Sequence, residues 1–79
     1  MEDRFLIKNC EGPTTNYLRK LTIERHPSLQ THFWGLSWDR KKYAIQFTSQ
    51  EEAQATIDFI INVIDCEKEG YLEIEKVQG

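Results

Sequence analysis

The chain has 79 residues, of which 39% are hydrophobic and 29% charged, with a formal net charge of −3 and a pI near 5.3. This length gives one domain, residues 1–79, with a thin core, because a chain of this size hides only about 60% of its unfolded surface. The composition is too apolar for a disordered chain. Its acidic balance excludes a strongly basic nucleic-acid coat, and two cysteines exclude a disulfide-dense secreted scaffold.

Arg4–Cys10 reads as a first strand, with Phe5 and Ile7 on one face and Leu6 and Lys8 on the other. Glu11-Gly12-Pro13 is a turn cluster. Tyr17–Arg25 reads as a second strand, with Tyr17, Leu21 and Ile23 at odd positions and Leu18, Lys20, Thr22 and Glu24 at even ones. Pro27 has no N–H for a ladder, so this strand should end near His26.

His32–Asp39 is a third strand in which His32, Trp34, Leu36 and Trp38 alternate with Phe33, Gly35 and Ser37. After the polar turn Asp39-Arg40-Lys41, Lys42–Phe47 reads as a fourth strand with Tyr43, Ile45 and Phe47 on one face. Ser49 followed by Glu52 matches a capping box, with Thr48 and Glu51 as the alternative register. Ala53, Ile57, Ile60, Ile61 and Ile64 then recur at helical spacing, beside a second stripe of Ala55, Phe59 and Val63. The helix should end near Cys66, and Tyr71–Val77 should form a last strand, with Leu72 and Ile74 alternating with Glu73 and Glu75. The expected fold class is α+β. It is a small two-layer domain, an antiparallel sheet of four to five strands with one helix on one face, in the order β-β-β-β-α-β.

Ile7-Lys8-Asn9, Tyr17-Leu18, Trp38, Lys42, Ala44 and the run Phe47–Ala53, followed by Ile57, form a pattern. It resembles a loose family of small phage and prophage proteins with a strand, a Tyr-Leu strand, a tryptophan and an A-x-x-F-x-S-x-E-E-A strand-to-helix junction. Here the junction is Ala44-Ile45-Gln46-Phe47-Thr48-Ser49-Gln50-Glu51-Glu52-Ala53. The resemblance implies a phage-like origin and action inside a bacterial host, where such proteins often bind and inhibit a host protein, including components of antiviral defence. It brings no catalytic motif, and a fold-level likeness does not itself supply function.

The residues point away from catalysis. Cys10 and Cys66 lack the paired Cys-x-x-Cys spacing of a zinc ribbon, and His26 and His32 would join them only by accident of folding. Gly12, Gly35, Gly70 and Gly79 are not spaced for a phosphate loop. Glu51 and Glu52 are better explained as helix-start residues than as an acid–base pair. No cofactor, metal or enzyme activity is therefore expected. With the charged start Met1-Glu2-Asp3-Arg4 and no following apolar run, the cytoplasm is the expected default compartment, and the phage resemblance implies that of a bacterial host. No stretch reaches the roughly 20 apolar residues that span a bilayer.

Charge and aromatic patterning carry the functional expectation. Residues 1–47 hold eight Lys/Arg and five Asp/Glu, and residues 48–79 hold two and eight, so the second half should present an acidic surface. Five of the nine aromatic residues lie between 33 and 47, and Phe33 and Trp34 should point to opposite faces. Exposed Trp, Tyr and Arg are typical contact residues. The candidate partner-binding residues are Trp34, Trp38, Asp39, Arg40, Lys41, Glu73 and Glu75. Three functions compete: a protein-binding module acting on a host protein, a single-stranded nucleic-acid binder using sheet aromatics with Arg19, Lys20, Arg40, Lys41 and Lys42, and a self-associating structural protein forming a homodimer.

Overall fold

A computed structural model describes residues 3–26 and 31–78, with side chains described throughout these except at 23–26 and 31–33. Four strands, β1 (Asp3–Asn9), β2 (Asn16–His26), β3 (Thr31–Asp39) and β4 (Leu72–Gln78), form one antiparallel sheet in the order β3-β2-β1-β4. One helix, α1 (Gln50–Phe59), continues through a single wider π turn at Ile60–Ile64 and lies on one face. The α+β, two-layer architecture is as the hydrophobic pattern predicts. β2 ends at His26, and Pro27 itself lies outside the described residues.

The core forms where the helix stripe meets the odd positions of β1. Ile7, Leu18, Ala53, Ile57 and Ile60 are buried together, with Phe5, Leu36, Trp38, Ile45, Phe47, Ile61, Ile64, Leu72 and Ile74 packed around them. Ser49 caps α1 by accepting from the Glu52 amide at 3.1 Å. Only half of the expected capping box forms, because the Glu52 carboxylate takes a hydrogen bond from the Thr48 hydroxyl (3.0 Å). The second stripe divides. Phe59 is half-buried, whereas Ala55 and Val63 are exposed.

Lys42–Phe47 departs from the expected fourth strand. Lys41–Tyr43 is a 3₁₀ turn, and the residues after it cross between β1 and β2. Those two strands pair only at Lys8–Tyr17 and Asn9–Asn16 and then splay apart. The crossing segment fills the wedge: the Ile45 amide donates to the Leu18 carbonyl (2.9 Å), and Phe47 exchanges both backbone hydrogen bonds with Phe5 (2.9 and 2.8 Å). Its backbone is shared between two diverging strands, so it builds one bridge and no ladder.

The alternation of β2 is broken once. A register shift between Leu18 and Lys20 inserts Arg19 as a bulge. Strict alternation sets Leu18 against Leu21, but the extra residue turns the strand so that Leu18 pairs with Trp38 and Leu21 with Leu36, all on the helix face. Beyond the bulge β2 and β3 run on as a two-stranded ribbon, and the molecule is elongated, 46 × 28 × 21 Å.

Candidate functional site

The face of the sheet away from the helix is where the charged residues converge. Residues paired directly across an antiparallel ladder share a face. Leu6 pairs with Glu75, Lys8 with both Glu73 and Tyr17, and Tyr17 with Asp39. All of these therefore lie opposite Ile7 and the helix. Leu6 is only 3% exposed although no described helix lies over it, so surrounding side chains supply its cover.

Glu75 is the hub of this face. Its Oε1 accepts a hydrogen bond from the Tyr17 hydroxyl at 2.9 Å. Its Oε2, closed off from solvent, faces the Lys41 ammonium at 2.6 Å in an ion pair. The Lys8 ammonium lies 3.5 Å from Glu73 and 4.0 Å from Glu75. The Lys41 ammonium holds the Glu75 carboxyl below its ordinary value, and Glu75 raises Lys41 in return. Partial burial, followed by the hydrogen bond to Glu75, pushes the Tyr17 phenol up. The Cys10 thiol lies within 3.7 Å of Glu73 Oε2.

A second group adjoins the first. Asp39 accepts from the Arg40 amide (2.7 Å) and from the Arg19 guanidinium (2.8 Å), which together hold its carboxyl low, the backbone N–H contributing most. Arg19 is the bulged residue of β2, and its guanidinium carbon sits 5.0 Å from the centre of the Tyr43 ring. The Lys42 ammonium also lies 5.0 Å from that ring. Tyr43 remains 46% exposed between these cations.

The residues singled out from sequence divide between two faces. Trp38 packs on the core, and half-buried Trp34 meets Phe59 edge-on at 4.7 Å and 78°, so both tryptophans serve the helix side. The Phe33, His26 and His32 side chains lie outside the described residues. Asp39, Lys41, Glu73 and Glu75 come together on the helix-free face, with Arg40 exposed beside them. Sequence reasoning missed Lys8, Tyr17 and Tyr43, and it named Arg19 only as a cation for the nucleic-acid reading. The signal for Tyr17 was its ladder position opposite Lys8, which only the β1–β2 register discloses. Glu73 and Glu75 do not form a separate acidic pole, because Lys8 and Lys41 are interleaved with them. Glu51, Glu52 and Asp58 on α1 do stand exposed as acidic residues.

A concavity at the start of α1 is lined by Ser49, Gln50, Glu51 and Gln54. Among the described residues no group of three or more His, Cys, Asp or Glu is placed to hold a metal, and no helix is long and apolar enough to cross a membrane. Compared with known proteins, the chain matches no family model, no curated sequence and no solved structure.

Proposed function

We propose that this chain is a non-enzymatic protein-binding module, of the phage type its Ala44–Ala53 junction resembles, which docks on a host protein and modulates it from within the host cytoplasm. The observation that carries this reading is the cluster on the helix-free face. β1, β2, β4 and the 3₁₀ turn each contribute to it, and its side chains hold one another in place: Tyr17 and Lys41 on Glu75, and Arg19 on Asp39. Preordered side chains lose less freedom on binding. Tyr and Arg are the residue types that most often anchor interfaces, and Tyr43 offers an exposed ring flanked by two cations.

The same ring between cations would suit a stacked base, but Asp39, Glu73 and Glu75 share its face and oppose a phosphate chain. Affinity capture from a bacterial lysate tests the proposal. The wild-type chain should recover a defined protein partner, and Tyr43→Ala, which leaves the core intact, should lose it. Fluorescence anisotropy with a single-stranded oligonucleotide is the counter-test. Micromolar binding that falls steeply with salt, without a protein partner, would replace this reading with the nucleic-acid one.

A further inference from the structure

The edges of the sheet differ in how they are guarded. β4 carries Glu73, Glu75 and Lys76 along its outer edge. Where β2 has separated from β1 it carries Arg19, Lys20, Glu24 and Arg25. Charged residues on such edges discourage a further strand from adding. β3 has no such guard: the run Thr31-His32-Phe33-Trp34-Gly35-Leu36-Ser37-Trp38 contains no Lys, Arg, Asp, Glu or Pro. Its ladder to β2 takes up one side only, and the bulge of this ribbon lies on β2, leaving β3 regular over its nine residues. A long, regular, aromatic-rich edge without charges is a template for pairing.

We propose that β3 pairs with β3 of a second copy of this chain, antiparallel about a two-fold axis through Gly35, to make one sheet continuous through both copies. The register follows from symmetry. Full overlap of Thr31–Asp39 with itself centres the pair on Gly35, and each residue then meets a residue of the same face. Trp34 comes opposite Leu36 of the second copy on the helix side. Gly35 meets Gly35 at the axis, where no side chains compete for space. Asp39, the only charge of the strand, comes opposite Thr31 and not opposite another Asp39. The strand thus meets itself along its full length with Gly35 at the axis and no like charges opposed, which is what favours a second copy over an unrelated strand. Both helices lie on the same side of the joint sheet, and the helix-free patches remain open on the other.

Sedimentation equilibrium across the micromolar range should reveal a species of twice the 9.4 kDa of one chain. Thr31→Glu sets a carboxylate opposite Asp39 of the second copy, twice by symmetry, and should weaken association several-fold. Thr31→Lys should tighten it. Within one chain residue 31 faces His26, so neither change opposes like charges in the β2–β3 ladder at neutral pH. Gln78→Lys, on the β4 edge, should leave association unchanged. A monomer at every concentration overturns the proposal. So does an equal effect of Thr31→Glu and Thr31→Lys, or a loss caused by Gln78→Lys in their place. Amide exchange on the unaltered chain tests the pairing without variants. Protection of residues 34–39 should rise with protein concentration, and protection independent of concentration would overturn the pairing.

Discussion

Glu75 shows at the scale of one residue how a face without a helix is kept ordered. Its carboxylate joins Tyr17, 58 residues away in sequence, to Lys41 on the 3₁₀ turn. A carboxyl whose folded value lies below its ordinary 4.5 adds stability at neutral pH and loses it as pH falls through the folded value. A lysine raised above 10.5 adds stability below that value and loses it as pH rises through the folded one. The Tyr17 phenol is raised above 10.0, so the unfolded chain releases its proton first, and stability also declines on the alkaline side. Urea unfolding should therefore find Glu75→Gln less stable than the wild type at pH 7, with the difference narrowing as pH falls below the ordinary carboxylate value. A gap that stays constant with pH would show that the charge of Glu75 contributes nothing. Gly35 gives a second residue-scale expectation. A Cβ there would lie 2.8 Å from the Thr22 hydroxyl, so Gly35→Ala should destabilise by about 1–3 kcal/mol through overpacking. Thr22→Ala in the same chain should restore most of that loss, as chemical denaturation would show.

At the scale of elements, the helix is where sequence and structure agree most closely. Ser49 is the N-cap, and Ala53, Ile57 and Ile60 face the sheet as their spacing predicts. Local rules suffice there, because a cap and a stripe are written within a few turns. Ser49→Ala should cost about 1 kcal/mol, the usual worth of a cap. Ile57→Ala should cost about 2–5 kcal/mol in denaturation, since the buried side chain leaves a cavity. Strands were less legible. Alternation in β2 fails at Arg19 because a bulge depends on the partner strand, and nothing in Tyr17–Arg25 marks the extra residue. The Lys42–Phe47 pattern is strand-like, yet its place in the wedge between β1 and β2 is decided by how far those strands splay. Trp38 illustrates the same limit at the site: a tryptophan beside a charged turn suggests a surface anchor, but its ladder partner Leu18 turns it to the core. Trp38→Ala should therefore unfold the chain more readily than it alters any binding surface.

At the scale of the whole molecule, the thin core inferred from length has a structural counterpart. Overall stability for this length is about 4–12 kcal/mol, at 0.05–0.15 kcal/mol per residue, so one core truncation removes a large share of it. Among the described residues one helix covers one face of the sheet, and no helix covers the other. That division largely separates stability from recognition: the buried apolar residues other than Leu6, and both tryptophans, serve the helix side, while Lys8, Tyr17, Arg19, Asp39, Lys41, Tyr43, Glu73 and Glu75 occupy the side proposed to meet a partner. The charge arithmetic of the two halves led to the expectation of an acidic surface on the helix and last strand. The fold interleaves the charges of the two halves on this face, because β4, from the acidic half, lies beside β1, from the basic half.

The proposal that recognition lies on the helix-free face is tested most directly by hydroxyl-radical footprinting of the chain in complex with the protein it captures from lysate. Tyr43 and Val63 are comparably exposed in the chain alone, at 46% and 54%, and Val63 belongs to the helix layer. Tyr43 should become shielded in the complex while Val63 stays reactive. Shielding of Val63 with Tyr43 still reactive would contradict the proposal.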